Sequence, residues 1–190
     1  MDLTEPLDNF EIEELLPLET KILRYKELKD LDSCFDEWGR CVILYPGESE
    51  DSGHWVGMIR RPGEIEYFDP YGDGVDVPLS HVPAERKRSV GAGIPKLREM
   101  LERERSNGVK VTSNPIQFQS LDPQVATCGK HVTARLRLAA LPLKKYAQVF
   151  ELARKNGLTP DEVVEIFSKA PPTPGGAEER KLLPAGRRVG

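Results

Sequence analysis

The chain has 190 residues, of which 38% are hydrophobic and 31% charged, a balance typical of a globular domain large enough to bury a core. Its formal net charge is −4 at pH 7, so the overall charge does not indicate nucleic acid or an anionic membrane as a partner. No apolar run approaches the roughly 18 residues of a membrane span, and the acidic N-terminus lacks the basic start of a signal peptide.

The sequence predicts three regions. Residues 1–20 are acidic and interrupted by two prolines, which predicts a lead-in segment docked on the domain. Residues 21–169 form the predicted domain. Residues 170–190 are rich in proline and glycine with a basic end, which predicts a flexible tail or linker. Four apolar residues of the lead-in are expected to dock: Phe10, Ile12, Leu15 and Leu16.

Strand patterns occupy the first half of the domain. Residues 22–31 fit a short strand or a helix, and residues 40–45 form a compact apolar run that predicts a buried strand. Residues 54–60 and 64–69 flank a Pro-Gly turn signal, which predicts a β-hairpin.

Helical patterns dominate the second half. Residues 75–93 look irregular and partly basic. An amphipathic helix is predicted to open at Pro95, followed by a strand at 109–113. Helices are also predicted at 144–156 and from 160 to about 169. Together the patterns predict an α+β fold.

The stretch from 119 to 131 carries a cysteine to the start of a helix. A polar, turn-rich run ends at Thr127, a predicted N-cap, and Cys128 follows in the first turn. The positive end of a helix dipole favours a thiolate, and the unpaired N–H groups there can stabilise an oxyanion. This pattern predicts half of a cysteine-nucleophile site. Four residues are predicted to share one face of the helix: Val132, Leu136, Ala139 and Ala140.

The hairpin supplies a candidate base. With the turn centred on its Pro-Gly signal, His54 lies opposite Tyr71 and becomes the diagonal neighbour of Asp69, with backbones about 7–8 Å apart. Asp69 could then hold the imidazole in the tautomer that presents its other nitrogen to Cys128. A register slip of one residue would break this pairing.

Three separated motifs occur in the order His, acid, Cys: His54-Trp55, Tyr67-Phe68-Asp69-Pro70-Tyr71-Gly72 and Thr127-Cys128-Gly129. They resemble motifs of the adenain and Ulp-type (SUMO protease) cysteine peptidases, most closely the versions carried by large DNA viruses and related elements. The resemblance covers residues 21 to about 141. It implies a papain-like, adenain-type fold with a mixed central sheet flanked by helices and the nucleophile at a helix N-terminus.

The resemblance also implies a role for each matched residue. Cys128 would be the nucleophile, His54 the general base and acid, and Asp69 the residue that orients His54. Trp55 would help to wall the substrate cleft. No metal or organic cofactor is implied.

The family places a glutamine six or seven positions before the cysteine as an oxyanion donor, but this chain has Leu121 and Asp122 there. Three glutamines remain as candidates. Gln119 is favoured because a loop separates it from the cysteine, whereas Gln124 lies too near the helix. Gln117 is the third.

The expected function is that of a monomeric cysteine endopeptidase acting on protein or peptide substrates. Viral capsid or polyprotein precursors are one expected substrate class, and ubiquitin-like modifiers are the alternative. The three cysteines have no framework spacing, which predicts free thiols in a reducing compartment: the host cytoplasm or virion for a viral protein, otherwise the cell interior. Gly175-Gly176 in the tail is a candidate self-processing site.

Two rival hypotheses remain. The first is a catalytically inactive interaction module with the same fold. The second is a zinc site, although the paired C-x2-C motif of such sites is absent. His131 is expected to be structural and His81 exposed. The potential zinc ligands are Cys34, Cys41, His54, Cys128 and His131.

Overall fold

A computed structural model of the chain describes residues 2–16, 20–47 and 53–170. Five strands form one mixed sheet in the order β1-β2-β3-β4-β5. The outer pairs β1–β2 and β4–β5 are parallel, and the inner pairs are antiparallel. Apart from Ala170, the predicted tail, with its Gly175-Gly176 pair, lies outside the described residues. The strands are β1 (Lys21–Arg24), β2 (Arg40–Pro46), β3 (Gly53–Arg61), β4 (Glu64–Phe68) and β5 (Lys110–Ser113).

Helices accompany the sheet, so the α+β class predicted from the sequence is confirmed. The predicted irregularity of residues 75–93 is wrong in part, because a 3-10 turn at Val77–His81 and a short helix lie there. Within the described ranges, every helix is too short or too polar to span a bilayer. The helices are α1 (Asn9–Leu15), α2 (Leu31–Cys34), α3 (Ala84–Ser89), α4 (Lys96–Ser106), α5 (Cys128–Arg137), α6 (Leu143–Lys155) and α7 (Pro160–Lys169).

The sheet separates two hydrophobic cores, because side chains alternate between its faces. Along β2, Val42 and Leu44 enter one core while Cys41, Ile43 and Tyr45 enter the other. Helices α1, α5, α6 and α7 contribute to the first core, and α2 and α4 contribute to the second.

Helix α5 is the central helix of the first core. Every residue from 128 to 136 is buried, so burial is not confined to the one predicted face of the helix. The helix ends at Arg137, and Ala140 beyond it is exposed. At Gly57, under α5, an added Cβ would lie 3.2 Å from Cγ1 of Val132, so glycine allows the helix to pack closely on β3.

A buried ion pair also fixes α5 to the hairpin. The guanidinium of Arg135 donates two hydrogen bonds, of 2.7 and 2.8 Å, to the carboxylate of Glu66 on β4. Both side chains are almost fully buried. The bidentate pairing offsets the cost of placing both charges in the protein interior.

The lead-in segment docks on the same face as α5. Ile12 and Leu16 are buried, as predicted, but Phe10 is 67% exposed and its predicted docking is wrong. The backbone N–H of Ala126 donates to the carbonyl of Leu3 at 2.8 Å. The lead-in therefore reaches the residues that precede α5.

Candidate active site

The hairpin has the register predicted from its turn. Gly57 lies opposite Phe68 and Met58 opposite Tyr67. Continued beyond the ladder, this register places His54 opposite Tyr71, and their rings stack with centroids 4.9 Å apart.

His54 and Asp69 are brought together by this register. Nε2 of His54 lies 2.9 Å from Oδ1 of Asp69, which is fully buried and also accepts the backbone N–H of Tyr71 at 2.8 Å. Because Nε2 is bound to the carboxylate, Nδ1 is the ring nitrogen left to face Cys128.

Cys128 is the first residue of α5, and its thiol interacts with the His54 ring. Burial disfavours the imidazolium, but hydrogen bonds with Asp69 and Cys128 outweigh it and raise the pKa of His54 to about 10. Burial also disfavours the thiolate, yet the hydrogen bond and charge of His54 lower the pKa of Cys128 below its ordinary value. The two shifts favour a thiolate–imidazolium pair over the neutral thiol and imidazole.

Thr127 occupies the predicted N-cap position, but its side chain makes no capping hydrogen bond. The hydroxyl instead donates to Oδ1 of Asp161 at 2.5 Å. The first N–H groups of a helix have no carbonyl partner within that helix. At α5 the Thr127 side chain does not bind these groups. The N–H of Cys128 can therefore stabilise negative charge.

Gln119 is the buried member of the three candidate glutamines, with 1% of its surface exposed, while Gln117 and Gln124 are exposed. Its backbone N–H donates to the carbonyl of Pro70 at 3.0 Å, beside Asp69. Its side-chain Nε2 donates to the carbonyl of Val125 at 3.1 Å, in the loop that leads to Cys128. These contacts place Gln119 between the hairpin and the start of α5.

Sequence reasoning missed Asn114, which follows β5. Its Oδ1 accepts the backbone N–H of Asp69 at 2.7 Å, and its Nδ2 donates to the Asp69 carbonyl at 2.8 Å. Asn114 therefore holds the backbone of the residue that orients His54. The only sequence signal was an Asn-Pro turn at a strand end, which is common in loops.

Trp55 lies beneath the lead-in segment. It is 6% exposed, and its indole N–H donates to the carbonyl of Leu7 at 3.1 Å. It lines a depression with Asn9 and Glu13 rather than the larger cavity beside His54. Its role as a wall of the substrate cleft stays a prediction.

An open cavity of about 710 Å³ adjoins the catalytic candidates. His54 and Tyr71 are among its lining residues. This volume is suited to a small ligand or a few side chains of a bound peptide. His81 is exposed, as predicted, and lines this cavity. The other lining residues include Asp73, Val82, Arg86 and Leu121.

The residues considered for zinc do not converge in the described part of the chain, where no group of three or more His, Cys, Asp or Glu side chains forms a metal site. Cys34 and Cys41 are buried, and burial raises the pKa of Cys34 to about 11. His131 is fully buried with Nε2 3.0 Å from Oδ1 of Asp161.

Comparisons with known proteins return no matching family model and no matching curated protein. Two crystal structures of the ASFV pS273R protease match the chain. The selenomethionine form is 18% identical over 51% of this chain and 34% of that chain, with a TM-score of 0.27. The other form is 15% identical over 71% of this chain and 59% of that chain, with a TM-score of 0.36. The chain thus spans between about a third and three-fifths of the length of that protease.

Proposed function

We propose that the chain is a cysteine endopeptidase. The proposal rests on the position of the His54 imidazole. One ring nitrogen is hydrogen-bonded to the buried carboxylate of Asp69, and the ring also interacts with the thiol of Cys128 at the start of α5. A nucleophile, a base and an orienting group in this arrangement suit acyl transfer.

The reaction begins with the thiolate of Cys128, which attacks the carbonyl carbon of a peptide bond. The carbonyl oxygen becomes an oxyanion, and the imidazolium of His54 then gives its Nδ1 proton to the leaving amine as the C–N bond breaks. The resulting thioester is attacked by water, from which His54 removes a proton. Collapse of the second tetrahedral intermediate breaks the C–S bond, releases the acid and restores the thiolate–imidazolium pair.

The oxyanion would lie between two donors. One is the backbone N–H of Cys128, at the N-terminus of α5. The other is the side-chain amide of Gln119, which has a second N–H besides the one donated to Val125. Both donors are fixed before substrate binds, which is the condition for strong oxyanion stabilisation.

The proposed family is that of the adenain and Ulp-type peptidases, on the strength of the three motifs. The proposed substrates are viral capsid or polyprotein precursors, with ubiquitin-like modifiers as the alternative. The chemistry needs no cofactor, because the nucleophile, base and oxyanion donors are all side-chain or backbone groups of this chain. The chain is proposed to act as a monomer, in the host cytoplasm or virion or in another reducing compartment.

Cleavage of a peptide library by the full chain, with Cys128→Ala as the control, tests this function. Cleavage that Cys128→Ala abolishes would support a peptidase, and the cut sites would give its specificity. Equal cleavage by both proteins would overturn the role of Cys128. Absence of cleavage by a folded wild-type chain would favour the inactive interaction module.

A further inference from the structure

One buried carboxylate joins the two loops that carry the oxyanion donors. Asp161, the second residue of α7, is 4% exposed. Its Oδ1 accepts hydrogen bonds from the Thr127 hydroxyl at 2.5 Å and from Nε2 of His131 at 3.0 Å. Its Oδ2 accepts the backbone N–H of Ser120 at 3.0 Å.

Two of these partners are direct chain neighbours of the proposed nucleophile and oxyanion donor. Thr127 immediately precedes Cys128, and Ser120 immediately follows Gln119. A single side chain therefore holds the nucleophile and the glutamine through their direct neighbours. It touches neither the thiol nor the amide in any bond described above.

The surroundings of Asp161 keep it charged despite its burial. Burial raises the pKa of a carboxyl group, but the hydrogen bonds from His131 and Thr127 outweigh that effect and lower the pKa of Asp161. The N-terminus of α7, opened by Pro160, adds the positive end of a helix dipole. An ionised carboxylate makes stronger hydrogen bonds than a neutral group, so its two loops are held firmly.

We propose that Asp161 is a positioning residue that sets the distance between the Cys128 N–H and the Gln119 side chain, and with it the shape of the oxyanion hole. The inference rests on the proposed peptidase function. Loss of the carboxylate should slow the steps that pass through an oxyanion. It should leave the thiolate itself intact, because His54 and Asp69 are held by other contacts.

The chain offers a matched control on the same helix. Glu165 lies one turn further along α7, is 2% exposed and pairs with Nζ of Lys130 on α5 at 2.7 Å. It thus joins the same two helices without bonding Thr127 or Ser120. Glu165→Gln should affect stability but change kcat by less than about twofold.

The experiment compares two reactions of the same thiol in wild type, Asp161→Asn and Glu165→Gln. Hydrolysis of p-nitrophenyl acetate passes through an oxyanion, and its burst gives the concentration of active sites. Alkylation of Cys128 by iodoacetamide forms no oxyanion. For Asp161→Asn we expect kcat per active site to fall by up to about 10²-fold, the effect of a misplacement of about 1 Å. The alkylation rate and its pH profile should stay within twofold.

A double-mutant cycle identifies the path of the effect. In a Gln119→Ala background, Asp161→Asn should lower kcat by less than about threefold, because the distance that Asp161 sets between the two donors no longer matters once one donor is gone. If Asp161→Asn fails to fold, Thr127→Val removes one bond to the carboxylate at similar volume, and the same split between kcat and alkylation is expected.

Three outcomes would overturn the inference. The first is a kcat of Asp161→Asn within twofold of wild type. The second is a fall in the alkylation rate of Asp161→Asn as large as the fall in its kcat. The third is a fall in kcat caused by Asp161→Asn that is as large in the Gln119→Ala background as in wild type. In each of these three cases, hydrolysis by wild type that depends on Cys128 would still support the proposed function. Hydrolysis that persists in Cys128→Ala, or is absent from wild type, would overturn the function and this inference together.

Discussion

Nε2 of His54 and Oδ1 of Asp69 lie 2.9 Å apart although 15 positions separate the residues in the chain. The β3–β4 register brings them together, and the same register stacks His54 on Tyr71. The pairing fixes the ring so that Nδ1 is available to Cys128. The state of the thiol should therefore depend on this hairpin.

The pH dependence of Cys128 alkylation tests that link. His54 lowers the pKa of Cys128 against the opposing effect of burial. His54→Ala removes the lowering contribution and leaves the burial, so the midpoint of alkylation should move to higher pH. Iodoacetamide rates across pH, with the exposed His81→Ala as control, measure the shift. An unchanged midpoint in His54→Ala would contradict the pairing.

Substrate cleavage by wild type should decline at high pH because His54 loses its proton. In the proposed mechanism the imidazolium supplies the proton for the leaving amine, and the pKa of His54 is raised to about 10. Cleavage should therefore rise as pH passes upward through the lowered Cys128 pKa and fall as pH passes upward through about 10. Initial rates of cleavage of a peptide from the library give this profile. A fall centred near 6.5, the ordinary histidine value, would contradict the stabilised imidazolium.

Asn114→Ala should impair catalysis without removing any reacting group. Asn114 bonds both the N–H and the carbonyl of Asp69, so its loss lets the carboxylate shift relative to His54. We expect kcat/KM to fall by as much as about 10²-fold. Asn107→Ala, at the exposed end of α4, is the control and should stay close to wild type. Equal rates for both variants would show that Asp69 needs no such support.

The identity of the oxyanion donor can be decided between two glutamines. Gln119→Ala should lower kcat by about 10²–10³-fold, the usual cost of losing one oxyanion donor. Gln124→Ala should change it little, because Gln124 is exposed. Peptide hydrolysis by the two variants gives the comparison, and the reverse order of effects would assign the donor to Gln124.

The anchor of α5 predicts a loss of stability. Arg135→Met removes the bidentate partner of the buried Glu66 carboxylate and leaves Arg61, at 3.1 Å, as its remaining partner. We expect a loss of about 3 kcal/mol, the lower end of the cost of breaking a buried pair. Denaturant unfolding measures the change, with the exposed Arg103→Met expected within about 0.5 kcal/mol of wild type. A loss below about 1 kcal/mol for Arg135→Met would mean that packing alone holds α5.

Local patterns were sufficient to predict the parts of the site that depend on neighbouring residues. A Pro-Gly turn and strand alternation fixed the hairpin register, and with it the approach of His54 to Asp69. The boundary of α7 followed from its capping box, in which Thr159 and Glu162 bond each other. The start of α5 followed from the turn-rich run before Cys128.

The sequence patterns did not predict the ion pairs between residues that are far apart in the chain. Arg135 and Lys130 gave α5 a partly polar pattern, yet both are buried because Glu66 and Glu165 neutralise them from distant elements. Asp161 looked like an ordinary first-turn acid of α7. No periodicity indicates which residue of another segment a buried charge will meet.

Site-specific acylation or alkylation is the most direct test of the central claim that His54 activates Cys128. A peptide carrying a thiol-directed electrophile should label wild type once, at Cys128, as identified by mass spectrometry. Labelling should be lost on heating and should fall sharply in His54→Ala. Labelling of Cys128 that is equally fast in wild type, heated protein and His54→Ala would contradict the account.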